Sequence, residues 1–369
     1  MSEFVFAIAG CGAIAPTHAQ AIASLPNARA GACHDIDAEK AGQFAKLYDV
    51  PFRQWRDILS DPAIDAVTIC VPSGLHAALG VEALDAGKHV LIEKPIDVTL
   101  EAVDSLIDAK NRAGKTLACI SQHRFDPVSQ YLKKLLNSGE LGKIIQVETR
   151  VPWYREQSYY DSGDWRGTYA LDGGGCLINQ GVHSVDLMLW LSGRVQTVYA
   201  QKRTAAHERI EVEDAFCASL SFHNGAIGTI MASTSSYPGF PAYLALYCEN
   251  GSAIIEGDAL KQISIIGKDT IIGTSPGSHA VAVATGGTRS VIPMVNSVSA
   301  REISEYDVYA MGAPEEWGVS HARQIADFVK CCRSGEPPLV DGLQARASVE
   351  LILAAYQSAK SGRPVDLPK

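Results

Sequence analysis

Residues 4–22, Phe4-Val5-Phe6-Ala7-Ile8-Ala9-Gly10-Cys11-Gly12-Ala13-Ile14-Ala15-Pro16-Thr17-His18-Ala19-Gln20-Ala21-Ile22, decide the fold. A short apolar run breaks at a glycine turn, and a helical pattern begins directly after it. A buried strand, a glycine turn and a helix start is the arrangement that holds a dinucleotide pyrophosphate. Gly10 permits the tight turn, and Gly12, with no Cβ, lets phosphates approach the backbone. Ala13 and Ile14 lead into the helix start, where free N–H groups face an anion, and the small Ala15 lets helix and strand pack closely. A bare G-x-G also occurs by accident in turns that bind nothing, so the surrounding sequence must decide.

That sequence continues the alternation. Arg29 to His34 reads as a second strand ending at Asp35, about 20 residues beyond the turn, where a carboxylate accepts hydrogen bonds from the adenine ribose. A solvated loop position or a helix N-cap would also account for Asp35, but its spacing from the turn is independent support. An anion there repels a 2′-phosphate, which predicts NAD rather than NADP. Helices are predicted over 38–47 and 54–59. Ala66 to Val71 is a continuous apolar strand, as in a parallel sheet covered on both faces. It exits through Pro72-Ser73-Gly74-Leu75-His76 into a helix reaching Ala86. Strand C-termini form the ligand edge of a doubly wound sheet, so Pro72, Ser73 and His76 are cofactor candidates. Alone, a histidine like His76 is more commonly a helix-start residue.

The strand His89 to Ile92 ends in Glu93-Lys94-Pro95. A lysine at the end of a buried strand is poorly solvated, which lowers an ammonium pKa. It can then hydrogen-bond a substrate oxygen and relay its proton. Glu93, also a cofactor-side candidate, would hold Lys94 in place; a surface ion pair is the plain alternative. A helix over 100–112 and a strand Thr116 to Ser121 follow, and the alternation stops. This sets a domain boundary at Gln122, the last cofactor candidate of the first domain.

The chain length of 369 residues agrees with two domains, 1–122 and 123–369, since single cores rarely exceed about 250–300 residues. The net charge of −9 and the lack of a basic block argue against nucleic acid or an anionic membrane as partner. No apolar run is long enough to span a bilayer, and Met1-Ser2-Glu3 lacks the positive start of a signal peptide. Nine scattered cysteines with no C-x-x-C predict reduced thiols in a cytoplasmic protein. Cys331-Cys332 reads as packing on a helix rather than redox chemistry. No clustered ligand set appears, and no metal is predicted.

Past the boundary the pattern changes. A helix over 126–136 precedes strands over 143–151, 195–201, 214–222, 226–232, 243–248, 253–256 and 262–266, with Asn250-Gly251 as a hairpin turn. Phe216, Ala218, Leu220 and Phe222 alternate with Cys217, Ser219 and Ser221, as in an antiparallel sheet with one face on a core. The opposite face is rich in small polar residues, which fits a subunit interface. Between these strands lies an aromatic, charged loop with Trp153, Tyr154, Tyr159, Tyr160, Trp165, Arg166 and Tyr169. Its rings suit the C–H faces of a sugar, with Trp153, Tyr160 and Arg166 as substrate candidates; plain packing explains it equally. Asn179, His183 and Asp186 recur at helical spacing and share one face, Asp186 orienting His183 or a helix. Residues 275–314 are hard to assign, with a strand expected over 281–284; helices are predicted over 319–334 and 343–361. His321 is a candidate member of the substrate site, and a capping or surface group is the plainer reading.

In order, Gly10-Cys11-Gly12-Ala13-Ile14-Ala15, Asp35, Val71-Pro72-Ser73, Glu93-Lys94-Pro95 and His123-Arg124-Phe125-Asp126-Pro127 resemble the glucose–fructose oxidoreductase, inositol dehydrogenase and MocA family. The resemblance covers nearly the whole chain and is weakest over 275–314. It implies a Rossmann domain followed by an α+β domain with an open, mostly antiparallel sheet, often used for subunit contacts. The last helices are expected to pack back on the first domain. It makes Trp165-Arg166-Gly167 a segment that reaches the cofactor, and His183 the family's motif histidine. The chain departs at Asn179, where many members carry Asp; Asn takes up no proton but hydrogen-bonds a hydroxyl. The implied protein is an NAD(H)-dependent oxidoreductase acting on a secondary hydroxyl or ketone of a sugar or cyclitol, a homodimer or homotetramer, with Lys94 and His183 managing the proton. A glycosidase or lyase forming a transient ketone, and a non-catalytic NAD-binding regulator, are the rival readings.

Overall fold

The computed structural model describes residues 2–268, 270–272, 281–283 and 318–369. The first sheet holds β1 (Phe4–Ala9), β2 (Ala28–His34), β3 (Ala66–Ile69), β4 (His89–Ile92) and β5 (Leu117–Cys119), all parallel, in the order β2-β1-β3-β4-β5. Helices α1 (Ala15–Ala23), α2 (Ala38–Tyr48), α3 (Trp55–Ser60), α4 (His76–Asp85) and α5 (Leu100–Ala113) alternate with these strands. Every residue of β1 is buried, as its unbroken apolar run requires of a strand covered on both faces. The strand order reverses between β1 and β3, so their C-terminal ends open the crevice where doubly wound sheets bind ligands. β3 stops at Ile69, two residues short of the apolar run, because the chain turns there toward Ser73–Leu75, a 3₁₀ turn.

A second 3₁₀ turn, Gln122–Phe125, leads to α6 (Pro127–Asn137) and the second sheet. That sheet has ten strands: β6 (Ile144–Pro152), β7 (Val195–Arg203), β8 (Ala215–Phe222), β9 (Ile227–Ser233), β10 (Tyr243–Cys248), β11 (Gly251–Glu256), β12 (Ala259–Ile265), β13 (Thr270–Ile272), β14 (Val281–Val283) and β15 (Val365–Asp366). Among the described residues of this sheet only the β6–β9 pair is parallel. Helices α7 (Gln157–Asp161) and α8 (Val182–Ser192) lie between β6 and β7; α9 (Val319–Ser334) and α10 (Gly342–Ser361) precede β15. α8 and α10 cover one face of the sheet, and the other carries Tyr199, Ile227, Met231 and Tyr247 exposed. The 281–284 strand is seen as β14; the rest of 275–314 lies outside the described residues.

The hairpin expected at Asn250-Gly251 is displaced. Gly251 pairs with Cys248, leaving Glu249 and Asn250 as the loop. A Cβ on Gly251 would lie 2.2 Å from the Ser264 carbonyl oxygen, so that glycine serves close strand approach rather than the turn.

The last two helices return to the first sheet on opposite faces. Ile325, Phe328 and Val329 of α9 join the core over α1 and α2, and Ala345 and Val349 of α10 join the core over α4 and α5. Further along α10, Leu351, Ile352, Ala355 and Tyr356 belong to the core of the second sheet. All nine cysteines are unpaired, and no helix among the described residues is long and apolar enough to cross a membrane.

Candidate active site

At the glycine turn, Gly10 has φ +92°, and a Cβ there would lie 2.6 Å from the Cys70 carbonyl oxygen. The fold itself therefore demands Gly10. At Gly12 a Cβ would meet nothing within 4 Å, so the fold leaves that space open. No side chain caps α1, whose N-cap is Ile14; the Ala15 and Thr17 amides donate to the Gly12 and Ile14 carbonyls and Pro16 has no N–H, so an anion would be met by the turn Gly12-Ala13-Ile14 ahead of the helix. Asp35 Oδ2 accepts from the Cys11 amide at 2.8 Å and Oδ1 from the Asp37 amide at 3.0 Å. The N-cap of α2 is Asp37, which accepts from Glu39 and Lys40, so the capping role falls to it and not to Asp35. Next to Asp35, Ile36 is 99% exposed, apolar surface that the strand pattern gave no reason to single out. An open cradle over the turn, an uncapped helix and a carboxylate tied to the turn fit a dinucleotide.

Beyond Pro72, the Gly74 amide donates to the Leu171 carbonyl at 2.9 Å, and a Cβ there would lie 2.1 Å from the Ala170 carbonyl oxygen. The aromatic loop of the second domain thus lands on the exit of β3 beside Ser73, which is buried. His76 differs from expectation. It is buried, with Nδ1 2.7 Å from the Pro95 carbonyl oxygen and Nε2 2.8 Å from that of Val71. Both nitrogens are engaged, so the ring braces two strand exits instead of presenting itself to a nucleotide.

Glu93 is buried at the end of β4. His18 Nε2 donates to its Oε1 at 2.7 Å, and its Oε2 accepts from the Lys94 amide at 3.1 Å. Burial alone would push this carboxyl up; the His18 hydrogen bond and charge outweigh it and hold its pKa well below the usual range. Glu93 therefore fixes the backbone of Lys94 rather than its ammonium. The ammonium donates instead to the Asn179 carbonyl at 3.1 Å. Burial lowers the Lys94 pKa, with the Glu93 and Asp172 charges opposing.

That carbonyl belongs to a π-helical turn, Cys176–Gln180, just ahead of α8. The wider turn breaks the expected common face. Asn179 Nδ2 hydrogen-bonds Asp172 Oδ1, and Asn179 Oδ1 accepts from Tyr159 Oη at 3.3 Å and from Gln180. His183 and Asp186 face the 3₁₀ turn 122–125 instead. The His183 and His123 rings meet edge to face with centroids 5.3 Å apart, and Asp186 takes both Nε and Nη2 of buried Arg124 at 2.7 Å. Asp186 thus orients Arg124 and not His183. His183 Nδ1 is buried without a hydrogen-bond partner. Burial, then the Lys94 charge, hold the His183 pKa well below its ordinary value, so the ring is a neutral base at neutral pH.

Sequence reasoning missed the groups that shape this corner. Asp172 accepts from the Gly167 amide at 2.9 Å as well as from Asn179; burial pushes its carboxyl up to about 6. A carboxyl thus stands beside Asn179, where the residue itself supplies none. Buried Glu213 accepts from the Gly175 and Leu177 amides and from Tyr356 Oη, fastening the glycine run before the π turn. His18 and Glu213 are far in sequence from the groups they hold, and no local spacing pairs them. His321, expected at the surface, is buried with its ring 6.1 Å from that of His18, and burial lowers its pKa to about 4.

In the aromatic loop, Arg166 lies over the rings of Tyr159, at 4.2 Å, and Trp165, at 4.5 Å; its Nε is buried without a partner. Trp153 is half-buried beneath Arg155, whose guanidinium donates to Gln180 Oε1 at 2.7 Å. Tyr160 differs from expectation: it is buried, with its hydroxyl 2.8 Å from that of Thr234, and packs the loop rather than facing a ligand. Gln122, also buried, places Nε2 3.3 Å from His123 Nε2 and leaves Oε1 without a partner.

Comparison with known proteins agrees with this arrangement. Residues 4–121 match the oxidoreductase family with an NAD-binding Rossmann fold, and residues 129–254 match the GFO/IDH/MocA C-terminal domain. The WlbA dehydrogenase of Bordetella pertussis, solved with NADH and UDP-GlcNAcA, is 29% identical, with a TM-score of 0.84 over 100% of this chain and 99% of that one. The WlbA dehydrogenase of Chromobacterium violaceum, solved with the same two ligands, is 30% identical, with a TM-score of 0.82 over 100% and 97%. The scyllo-inositol 2-dehydrogenase (NAD(+)) of Bacillus subtilis is 24% identical over 98% of this chain and 95% of its own. Glycine turn, strand exits and second sheet together place the chain in the Gfo/Idh/MocA family of NAD-binding oxidoreductases.

Proposed function

We propose that this NAD-dependent oxidoreductase interconverts a secondary alcohol and a ketone on a sugar or cyclitol ring. The observation that carries the assignment of roles is a half-buried Lys94 at the end of β4, held on the Asn179 carbonyl, with the His183 ring near enough for the Lys94 charge to help hold its pKa low. The dinucleotide is held by the turn Gly10–Ile14, by Asp35 on the adenine ribose, and by Pro72, Ser73 and Glu93–Lys94 beneath the nicotinamide, with Gln122 and Trp165–Arg166 closing over it. Ile36 offers its exposed side chain to the adenine. The nicotinamide ring supplies hydride exchange at the carbon of the alcohol.

The chain's own residues handle the oxygen. Lys94, anchored on the Asn179 carbonyl, donates a hydrogen bond to the reacting oxygen and stabilises the charge that grows there. His183 takes the hydroxyl proton during oxidation and returns it during reduction. Asn179, steadied by Asp172 and Tyr159, binds a neighbouring hydroxyl and holds the carbon at hydride distance. The likeness to the WlbA dehydrogenases along the whole chain makes a nucleotide-linked acidic sugar the first ring to try. Arg155 and Arg166 supply positive charge in the loop for it. The exposed face of the second sheet, with Tyr199, Ile227, Met231 and Tyr247, serves contact with further copies of the chain.

The test is a screen of UDP-GlcNAcA, inositols, levoglucosan and open-chain polyols, followed by the absorbance of reduced nicotinamide. Ring alcohols should be oxidised, and a deoxy analogue next to the oxidised carbon should be rejected sharply, because buried polar groups would go unpaired. Preference for open-chain compounds, or indifference to the missing hydroxyl, would sink the assignment.

A further inference from the structure

We infer that His123, Gln122 and Asp258 form a proton exit from His183 to solvent. The inference rests on the acid–base role given to His183 above. Oxidation of a carbinol sends its C–H hydrogen, with the bonding electron pair, to the nicotinamide; its O–H proton stays on His183. A histidine charged in a buried corner next to Lys94 is disfavoured by desolvation and by a like charge, so that proton must leave before the next turnover.

The path outward is built. The His123 ring lies edge-on to His183 at 5.3 Å between centroids, close enough for direct transfer after a small ring movement or for transfer through one water. On its far side, His123 Nδ1 is 2.8 Å from Asp126 Oδ2 and 3.6 Å from Asp258 Oδ1. Asp126 is buried and occupied by Ser320 at 2.5 Å; Asp258 has 53% of its side chain exposed, at a left-handed turn between β11 and β12. Asp258 is therefore the member that meets water. The groups facing His123 are His183 from α8, Gln122 from its own turn, Asp126 at the start of α6 and Asp258 from the hairpin, with Asp186 and His321 contributing charge from farther off. Burial opposes protonation of His123, but Asp126 and Asp258 outweigh it and raise its pKa to about 8.

Gln122 gives the path its second half. Its Nε2 sits 3.3 Å from His123 Nε2, the arrangement suited to a neutral ring, whose bare nitrogen accepts from the amide. Its Oε1 is buried without a partner. Turning the amide by 180° puts that oxygen on the same ring nitrogen, where it accepts from a protonated His123. One side chain thus serves both charge states of the ring, which a purely structural histidine does not need. Atoms balance along the path: the proton leaves the alcohol for His183 and passes to the bare Nε2 of a neutral His123, and an equivalent proton leaves Nδ1, which is bonded to Asp126 Oδ2, and crosses through one water to the Asp258 carboxylate 3.6 Å away and then to solvent.

The experiment uses the full chain labelled at histidine, with His123→Gln to assign the ring signal and Asp258→Asn, which tolerates the left-handed turn, as the mild variant. By NMR, His123 should titrate near 8, and Asp258→Asn should lower that value. In turnover with the best ring substrate, His123→Gln should lower kcat for oxidation at least tenfold, enlarge the solvent deuterium effect and recover with added imidazole, while NADH affinity holds. A ring that titrates at or below 6.5, or that ignores Asp258→Asn, overturns the path. So does an unchanged kcat in His123→Gln, or a loss that imidazole and deuterium do not register, which marks a packing role. Loss of activity on chelation, restored by a divalent ion, would make the cluster a metal centre and overturn it too. A parent chain that oxidises no ring alcohol removes the assigned reaction and the path together; an active parent with unresponsive variants removes the path alone.

Discussion

Replacing each turn glycine by alanine separates folding from cofactor binding. Gly10→Ala puts a methyl at φ +92°, 2.6 Å from the Cys70 carbonyl oxygen. The backbone strain alone costs about 1–2 kcal/mol, and the overlap is with backbone, which does not swing aside. Gly10→Ala should therefore lose more than about 2 kcal/mol and lower Tm by several degrees. Gly12→Ala meets nothing within 4 Å, so its Tm should stay near that of the parent. Its methyl instead occupies the space kept for the pyrophosphate. Losing one charge-assisted hydrogen bond there, worth about 1.5–3 kcal/mol, weakens NADH roughly ten- to a hundredfold. Thermal melts and NADH fluorescence titrations on the two variants suffice. Unchanged NADH affinity in Gly12→Ala, or a collapse of its Tm alongside Gly10→Ala, would refute the reasoning.

Asp35→Ala should weaken NADH and narrow its lead over NADPH, read from paired titrations; because Asp35 also holds the Cys11 amide, NADPH should not gain outright. Lys94→Ala and His183→Ala should each lower kcat by about 10²–10⁴, with NADH affinity changing much less for His183→Ala, as steady-state kinetics and titration will show. His321 binds its proton only near pH 4 when folded, against an ordinary value of 6.5. Its unfolded form therefore takes up the proton first, and stability is lost as pH falls from about 6.5 toward 4. His321→Gln should flatten the drop of Tm between pH 7 and 5; a slope equal to the parent's would contradict this.

The first domain was legible because its signals are local. The unbroken apolar run of β1, its glycine turn and the helix after it need no partner to be read, and β1, β4 and α9 lie where the pattern puts them. Lys94 follows β4 at the strand exit where the pattern puts it, whereas His183 was singled out by the family resemblance, since a lone histidine on a helix reads as structural. The face shared by Asn179, His183 and Asp186 was drawn with 3.6-residue spacing, but Cys176–Gln180 is a π-helical turn, wider than that spacing. Asp186 and His321 were misread because their partners, Arg124 and His18, are brought to them by packing alone. Tyr160 shows the same limit: an aromatic in a loop reads as a ligand platform until Thr234 is seen to take its hydroxyl.

The way α9 and α10 straddle the first sheet bears on modular exchange. A fragment ending at residue 122 would carry the glycine turn and every strand of its sheet, yet would leave bare the surfaces that Ile325, Phe328, Val329, Ala345 and Val349 cover. The transplantable nucleotide module is thus discontinuous, residues 2–121 together with 318–350. Chimeras between relatives should be spliced at three places: near residue 122, ahead of α9 near residue 318, and within α10 between Val349 and Leu351, where the helix passes from one core to the other.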